Sequence, residues 1–345
     1  MHSASCFIKA CRGEEVPYTP VWIMRQAGRY LPEYMEMRRS VSNFLELCKT
    51  PTLAAKVTVQ PVERLGVDAA ILFSDILVPV EAMGVPLEFK EGEGPKISYT
   101  VESLKDVEAL KVPDPATTMD FVLETVRRAK GLLAGQVPLI GFSGAPFTLA
   151  SYILEGGGSR YYLKTKTLMY RQPQVWHALM EKLTDTVIAY LKAQVEAGAD
   201  AIQLFDSWVG ALAPGDFREF VAPYIRRIVR EVKATGVPFI FFGTDTASLL
   251  RDIASMGVTV VGVDWRIELE DAIRVMGNKV SVQGNLDPCA LFMPKDALEK
   301  RVAEILRQGR LARGHIFNLG HGILPQTDPE MAKFLVDTVH RLSRR

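Results

Sequence analysis

The stretch Val237-Pro238-Phe239-Ile240-Phe241-Phe242-Gly243-Thr244-Asp245, then Ala247 to Met256, then Gly257-Val258-Thr259-Val260-Val261-Gly262-Val263-Asp264-Trp265, decides the fold. Two short apolar runs rich in β-branched and aromatic residues flank a segment with apolar residues at three- and four-residue spacing, the pattern of strand, helix, strand. The runs are continuous rather than alternating, as in parallel strands covered on both faces. Their starts, Val237 and Val258, lie 21 residues apart, which is long enough for a crossover containing a helix.

The same unit recurs outward in both directions. Val21 to Met24, Asp68 to Phe73, Val137 to Phe142, Asp200 to Phe205, Lys279 to Gln283 and Ile316 to Leu319 bring the strand candidates to eight. Phe121 to Leu133, Gln174 to Ala197, Phe217 to Ala234 and Lys295 to Arg307 have helical spacing. Asp216 and Asp296 fit helix starts, and Gly198, Gly236 and Gly257 fit helix ends. Eight strands alternating with helices predict a single (β/α)8 TIM-type barrel; an open doubly wound sheet shows fewer strands and a glycine fingerprint after the first. One hairpin interrupts the rhythm, Val85 to Lys90 and Lys96 to Thr100 around Glu91-Gly92-Glu93-Gly94-Pro95. No repeat or Ser/Gly-rich linker divides the chain, so residues 1–345 are read as one domain, with 1–14 as an N-terminal tail.

Composition narrows the function. Among 345 residues, 41 Lys+Arg oppose 40 Asp+Glu for a net charge of +1, without the basic excess that nucleic acid or an anionic membrane requires. No apolar run reaches membrane-spanning length and Met1 to Arg12 has no signal-peptide core, so a cytoplasmic protein is expected. Cys6, Cys11, Cys48 and Cys289 form no Cys-x-x-Cys pair, and His177, His315, His321 and His340 form no ligand cluster; neither a disulfide framework nor a metal site is expected.

The strand ends carry the chemistry. They read Arg25-Gln26-Ala27-Gly28-Arg29, Ser74-Asp75, Ser143-Gly144, Asp206-Ser207, Gly243-Thr244-Asp245, Asp264-Trp265, Gly284-Asn285 and Gly320-His321, and a barrel builds its active site from these loops. Arg25, Arg29, Arg38 and Arg39 form a local basic excess suited to a ligand with several carboxylates, although a solvated helix face explains Arg38 and Arg39 equally well. Asp75, a single acid between apolar residues, reads either as a helix N-cap or as a carboxylate that holds ligand N–H groups and stabilises positive charge. Gly156-Gly157-Gly158 lacks the Lys-Ser/Thr of a phosphate loop, and Ser143-Gly144-Ala145-Pro146 is no nucleophile elbow.

Pro20-Val21-Trp22-Ile23-Met24-Arg25-Gln26-Ala27-Gly28-Arg29-Tyr30-Leu31-Pro32-Glu33-Tyr34 closely resembles the N-terminal signature of the uroporphyrinogen decarboxylase family, and Gly141-Phe142-Ser143-Gly144-Ala145-Pro146-Phe147-Thr148-Leu149 resembles its second signature. Phe73-Ser74-Asp75-Ile76-Leu77, Leu204-Phe205-Asp206-Ser207, Gln283-Gly284-Asn285-Leu286-Asp287-Pro288 and Asn318-Leu319-Gly320-His321-Gly322 match further blocks in order. The resemblance implies a (β/α)8 homodimer in porphyrin and haem biosynthesis. Working without metal or organic cofactor, it removes CO2 from the four acetate side chains of uroporphyrinogen III to give coproporphyrinogen III. It places substrate contacts on Arg25, Gln26, Ala27, Gly28, Arg29, Arg38, Asp75, Tyr152, Ser207 and His321, with Phe205 against the macrocycle. Asp75, Arg25 and Tyr152 are the catalytic candidates. Arginine's high pKa makes Arg25 a poor general acid, so the proton donor stays open. Two alternatives are a corrinoid or thiol methyltransferase of the same superfamily, disfavoured because Phe239 to Gly243 and Leu319 to Gly322 lack cysteine, and a non-catalytic tetrapyrrole carrier, which would have no need of Asp75.

Overall fold

Asp68, Asp200 and Thr259 show how the apolar runs align. Each sits just before a strand and accepts an amide from the neighbouring run: Val21 N to Asp68 Oδ2 at 2.7 Å, Leu139 N to Asp200 Oδ2 at 2.7 Å, Phe239 N to Thr259 Oγ1 at 3.1 Å. Above these anchors the backbones pair in parallel. The computed structural model describes residues 5–90 and 94–345. Among them the strands are β1 (Ala70–Ile71), β2 (Leu87–Lys90), β3 (Gly94–Ile97), β4 (Leu139–Gly144), β5 (Ala201–Asp206), β6 (Phe239–Gly243), β7 (Val260–Gly262), β8 (Ser281–Gln283) and β9 (His315–Ile316). Seven form one sheet in the order β1-β4-β5-β6-β7-β8-β9, every pair parallel. β2 and β3 form the separate antiparallel hairpin, with Leu87 opposite Ile97; its expected turn residues 91–93 lie outside the described residues.

The sheet is curled. Gln203 on β5 and Gln283 on β8 are three strands apart in the sheet order, yet Gln283 Nε2 donates to Gln203 Oε1 at 3.0 Å and Trp22 Nε1 donates to Gln283 Oε1 at 2.9 Å. Such a chain can run only across the concave interior. Helices cover the convex side. Asp120–Leu133 packs on Pro51–Leu65, and the long helix Pro173–Ala197 lies against β4 and the helix Ala222–Lys233. Buried Trp176, Leu179, Leu183 and Ile225 fill that interface. Burial of each such side chain is worth about 1.5–3 kcal/mol.

Three expectations change. Val21 to Met24 is not a ladder strand: only Val21 makes a bridge, to Phe317, while Val21 N, Ile23 N and Met24 N donate to the side chains of Asp68, Gln26 and Asn318. The helix expected over Phe217 to Ala234 is two, Pro214–Phe220 and Ala222–Lys233, because Pro223 lacks an N–H and clashes with a continuing helix, leaving Val221 non-helical. The segment read as an N-terminal tail holds a helix, Cys6–Arg12, capped by Ser5 and closed by Gly13 in the left-handed region at φ 70°. Among the described residues no helix is long and apolar enough to cross a membrane.

Candidate active site

All seven parallel strands end on the same side, so the residues that come after them share one mouth. The turn carrying Arg25 is built from within. Gln26, fully buried, accepts from Ile23 N at 2.9 Å and donates to Ala69 O at 3.0 Å, and Tyr30 Oη donates to its carbonyl at 2.8 Å. This brace holds Arg25 at φ 62°, a left-handed conformation that costs a non-glycine residue free energy. The exposed Arg25 side chain lies against Gly322, where a Cβ would overlap Arg25 Cδ; only glycine leaves that space. Arg25 and Arg29 are exposed and have no carboxylate partner among the described residues. Their charges are available to a ligand.

Asp75 follows β1. One carboxylate oxygen, Oδ1, accepts from Leu77 N at 2.8 Å in the turn before the helix Val78–Ala82; the cap position of that helix is Leu77 and it has no side-chain cap bond, so Asp75 is not its N-cap. Burial pushes its pKa up to about 6, against the opposing pull of the Leu77 N–H and the Arg25 guanidinium. Tyr152, on the helix Pro146–Glu155 after β4, is half-buried; burial and the charge of Asp75 push its phenol up to about 12. His321, just beyond β9, is lowered to about 4 by burial and by Arg25 and Arg266, with Asp264 opposing. It is neutral at physiological pH.

These shared influences tie Arg25, Asp75, Tyr152 and His321 to one site. Phe205, at the end of β5, meets Phe142 and Phe242 edge-on with ring centroids 5.6 and 6.0 Å apart, and Phe242 in turn stands 6.4 Å from His321. An apolar floor thus lies among the polar groups. Half-buried Ser207 accepts a hydrogen bond on its carbonyl from Thr244 Oγ1. Ala27 and Gly28 continue the Arg25 turn, and a Cβ on Gly28 would press on Arg25 O at 2.9 Å. Arg38, on the helix Pro32–Arg39, donates to Val41 O at 3.3 Å, and its charge acts together with that of Arg29 on the Tyr34 phenol. The buried amide of Gln26 is committed to Ile23 N within its turn and to Ala69 O beside β1.

Sequence reasoning passed over two neighbours, Trp208 and Arg266, and gave a third, Asp206, no role beyond its place at a strand end. Trp208 stacks on Tyr152 with centroids 3.9 Å apart. Arg266 lies 4.1 Å over the Trp265 ring and pairs with Asp264 at 2.6 Å and Asp245 at 3.1 Å. Asp206, fully buried and held by Thr148, has its pKa pushed up to about 7 by burial. Their signal was proximity to strand ends already singled out. Among the described residues no group of three or more His, Cys, Asp or Glu could hold a metal ion.

The family model of Uroporphyrinogen decarboxylase (URO-D) matches residues 2–342. Similar proteins include the uroporphyrinogen decarboxylase of Myxococcus xanthus, 56% identical over 97% of this chain and 95% of that protein. Another is that of Carboxydothermus hydrogenoformans, 52% identical over 98% and 96%. Among solved structures, a methyltransferase from Methanosarcina mazei superposes with a TM-score of 0.82 at 24% identity, covering 97% of each chain. At that identity the likeness is one of fold.

Proposed function

The chain belongs to the uroporphyrinogen decarboxylase family, and from that premise we propose how its strand-end residues divide the work. The activity is decarboxylation of uroporphyrinogen in haem biosynthesis. In our reading the four acetates of uroporphyrinogen III become methyl groups with release of four CO2. Each round begins with protonation of a pyrrole ring carbon, which makes the ring a cationic, iminium-like electron sink. The acetate C–C bond then breaks, its electrons flow into the ring, CO2 leaves, and protonation of the exocyclic carbon followed by loss of the ring proton leaves a methylpyrrole. One proton is consumed per CO2.

Asp75 would accept the pyrrole N–H groups and stabilise the developing positive charge, since a partly desolvated carboxylate acts far more strongly there than in water. Arg25 and Arg29, which have no carboxylate partner among the described residues, would clamp substrate carboxylates through paired hydrogen bonds. Tyr152, protonated at neutral pH, and neutral His321 would add polar contacts, with Ser207, Ala27 and Gly28 along the wall, the fully buried Gln26 bracing the Arg25 turn behind it, Arg38 on the flanking helix and Phe205 against the macrocycle. The observation that carries this reading is that a half-buried acid with a raised pKa shares one mouth with an arginine that has no carboxylate partner among the described residues. Anaerobic incubation with uroporphyrinogen III, without added metal, tests it: successive loss of four carboxylates is expected, and unchanged substrate would overturn it.

The junction at Val21 bears on the scaffold. Phe317 N donates to Pro20 O at 2.8 Å and Trp22 N to Phe317 O at 3.4 Å, while Asp68 N donates to Val21 O at 2.8 Å. These bonds support our reading of Pro20 to Trp22 as an eighth stave between β9 and β1, which would close the seven-stranded sheet into a (β/α)8 barrel. A homodimer is the assembly we propose, to be checked by sedimentation.

A further inference from the structure

We propose that Trp208 is a positioning residue that holds the Tyr152 phenol at the reaction centre, an inference that rests on the reading of Tyr152 as part of the site. The Tyr152 hydroxyl makes no hydrogen bond among the described residues, so ring packing sets its direction. The dominant contact is Trp208, tilted 33° with centroids 3.9 Å apart. Behind Trp208 stands Tyr162 at 5.4 Å, itself backed by Phe147 at 6.4 Å.

The loop that carries Trp208 is bolted to the helix that carries Tyr152. Trp208 N donates to Thr148 Oγ1 at 3.3 Å, and Thr148 Oγ1 donates to Asp206 Oδ1 at 2.7 Å. Thr148 and Asp206 are fully buried. Thr148 and Tyr152 are four residues apart on the helix Pro146–Glu155, hence on one face and one turn apart. The loop after β5 and this helix therefore meet twice on that face, once by the Thr148 hydrogen bonds and once by the aromatic stack. Two attachments fix both the distance and the rotation of Trp208 relative to Tyr152. A purely space-filling tryptophan would need neither the mouth position nor the half-exposure that Trp208 has. A side chain that must present one polar atom to a reacting centre needs its rotamer locked by such a support.

The test compares Trp208→Leu, which keeps a smaller apolar side chain without a stacking ring, with Trp208→Phe, which keeps a ring, and with Tyr152→Phe. For Trp208→Leu, kcat is expected to fall on the order of 10- to 100-fold, with KM changed by less than about twofold. Trp208→Phe should restore most of the loss. In the Tyr152→Phe background Trp208→Leu should cost nothing further, since the group it positions is gone. Full kcat in Trp208→Leu together with a loss in Tyr152→Phe would overturn the positioning role and leave the site reading intact. Full turnover in Tyr152→Phe would overturn the site reading itself. A rise in KM alone, additive losses in the double variant, or no rescue by phenylalanine would each show that Trp208 acts otherwise than through Tyr152.

Discussion

Asp75→Asn should make the protein more stable and nearly inactive at once. The carboxyl is held at about 6 against an ordinary 3.8, and burial is the cause. Because its pKa is raised in the folded state, the protonated form is the one the fold prefers. The associated stability is fully present below pH 3.8 and is lost as pH rises through about 6. At pH 7.5 the ionised group thus destabilises the fold by about 3 kcal/mol, a figure that already includes the help of Leu77 N–H and Arg25. Asparagine keeps an oxygen for Leu77 N, 2.8 Å away, and carries no charge to desolvate. For a chain of this length the gain corresponds to a Tm about 4 °C higher. Urea unfolding of both proteins between pH 4 and pH 8 measures it: the curves should converge near pH 4 and separate to their full difference above pH 6. Turnover should fall strongly, because the shape stays and the charge that stabilises the cationic ring is gone. A variant no more stable than the parent at pH 7.5 would refute the burial argument, and near-normal decarboxylation would refute the assigned role.

Three further outcomes rest on the same geometry. Gly322→Ala drives a methyl group into Arg25 Cδ. Arg25 is exposed and can swing away, so the fold should survive while KM rises roughly tenfold or more, as expected for loss of a charge-assisted contact worth about 1.5–3 kcal/mol; an unchanged KM would show that this arginine position is immaterial. Arg25→Lys should likewise weaken handling of the polycarboxylate, because an ammonium cannot pair both carboxylate oxygens in plane, and steady-state constants equal to the parent's would contradict it. The pH profile of kcat/KM should fall as pH drops through about 6, where Asp75 protonates. His321→Gln should leave that limb in place, since His321 stays neutral down to about 4; a limb that moves with His321 would reassign it.

The strands β4 to β8 were legible because their residues pack on both faces and therefore read as unbroken apolar runs. Val21 to Met24 has the same composition but takes its amide partners from the side chains of Asp68, Gln26 and Asn318, and periodicity carries no information about side-chain acceptors, whether three residues away, as Gln26 is from Ile23, or 47 and 294, as are the other two. Likewise the spacing of Phe217 to Ala234 is helical throughout, and the break lies in one missing N–H at Pro223. At the site, Arg25 and Asp75 stood out because a charge at the end of an apolar run has few other uses. Trp208 did not, because an aromatic residue next to a strand end resembles ordinary core until its partner Tyr152, on a different segment, is in place. Asp206 resembled any polar residue that ends a strand; its complete burial and its bond from Thr148, 58 positions earlier in the chain, exist only once the segments have packed.

The junction at Val21 also governs when the protein becomes an enzyme. Met24 N bonds to Asn318 Oδ1 across 294 positions of chain, and Arg25 and His321 stand on the two sides of that seam. On the ribosome, the strands from β1 to β8 can align with neighbours already made, whereas the segment bearing Arg25 must wait for nearly the whole polypeptide. Contacts of such long separation form slowly. The mouth assigned to the substrate is therefore among the last features to mature, and a nascent or C-terminally clipped chain can hold most of its sheet while Arg25 is not yet set in the place proposed for it.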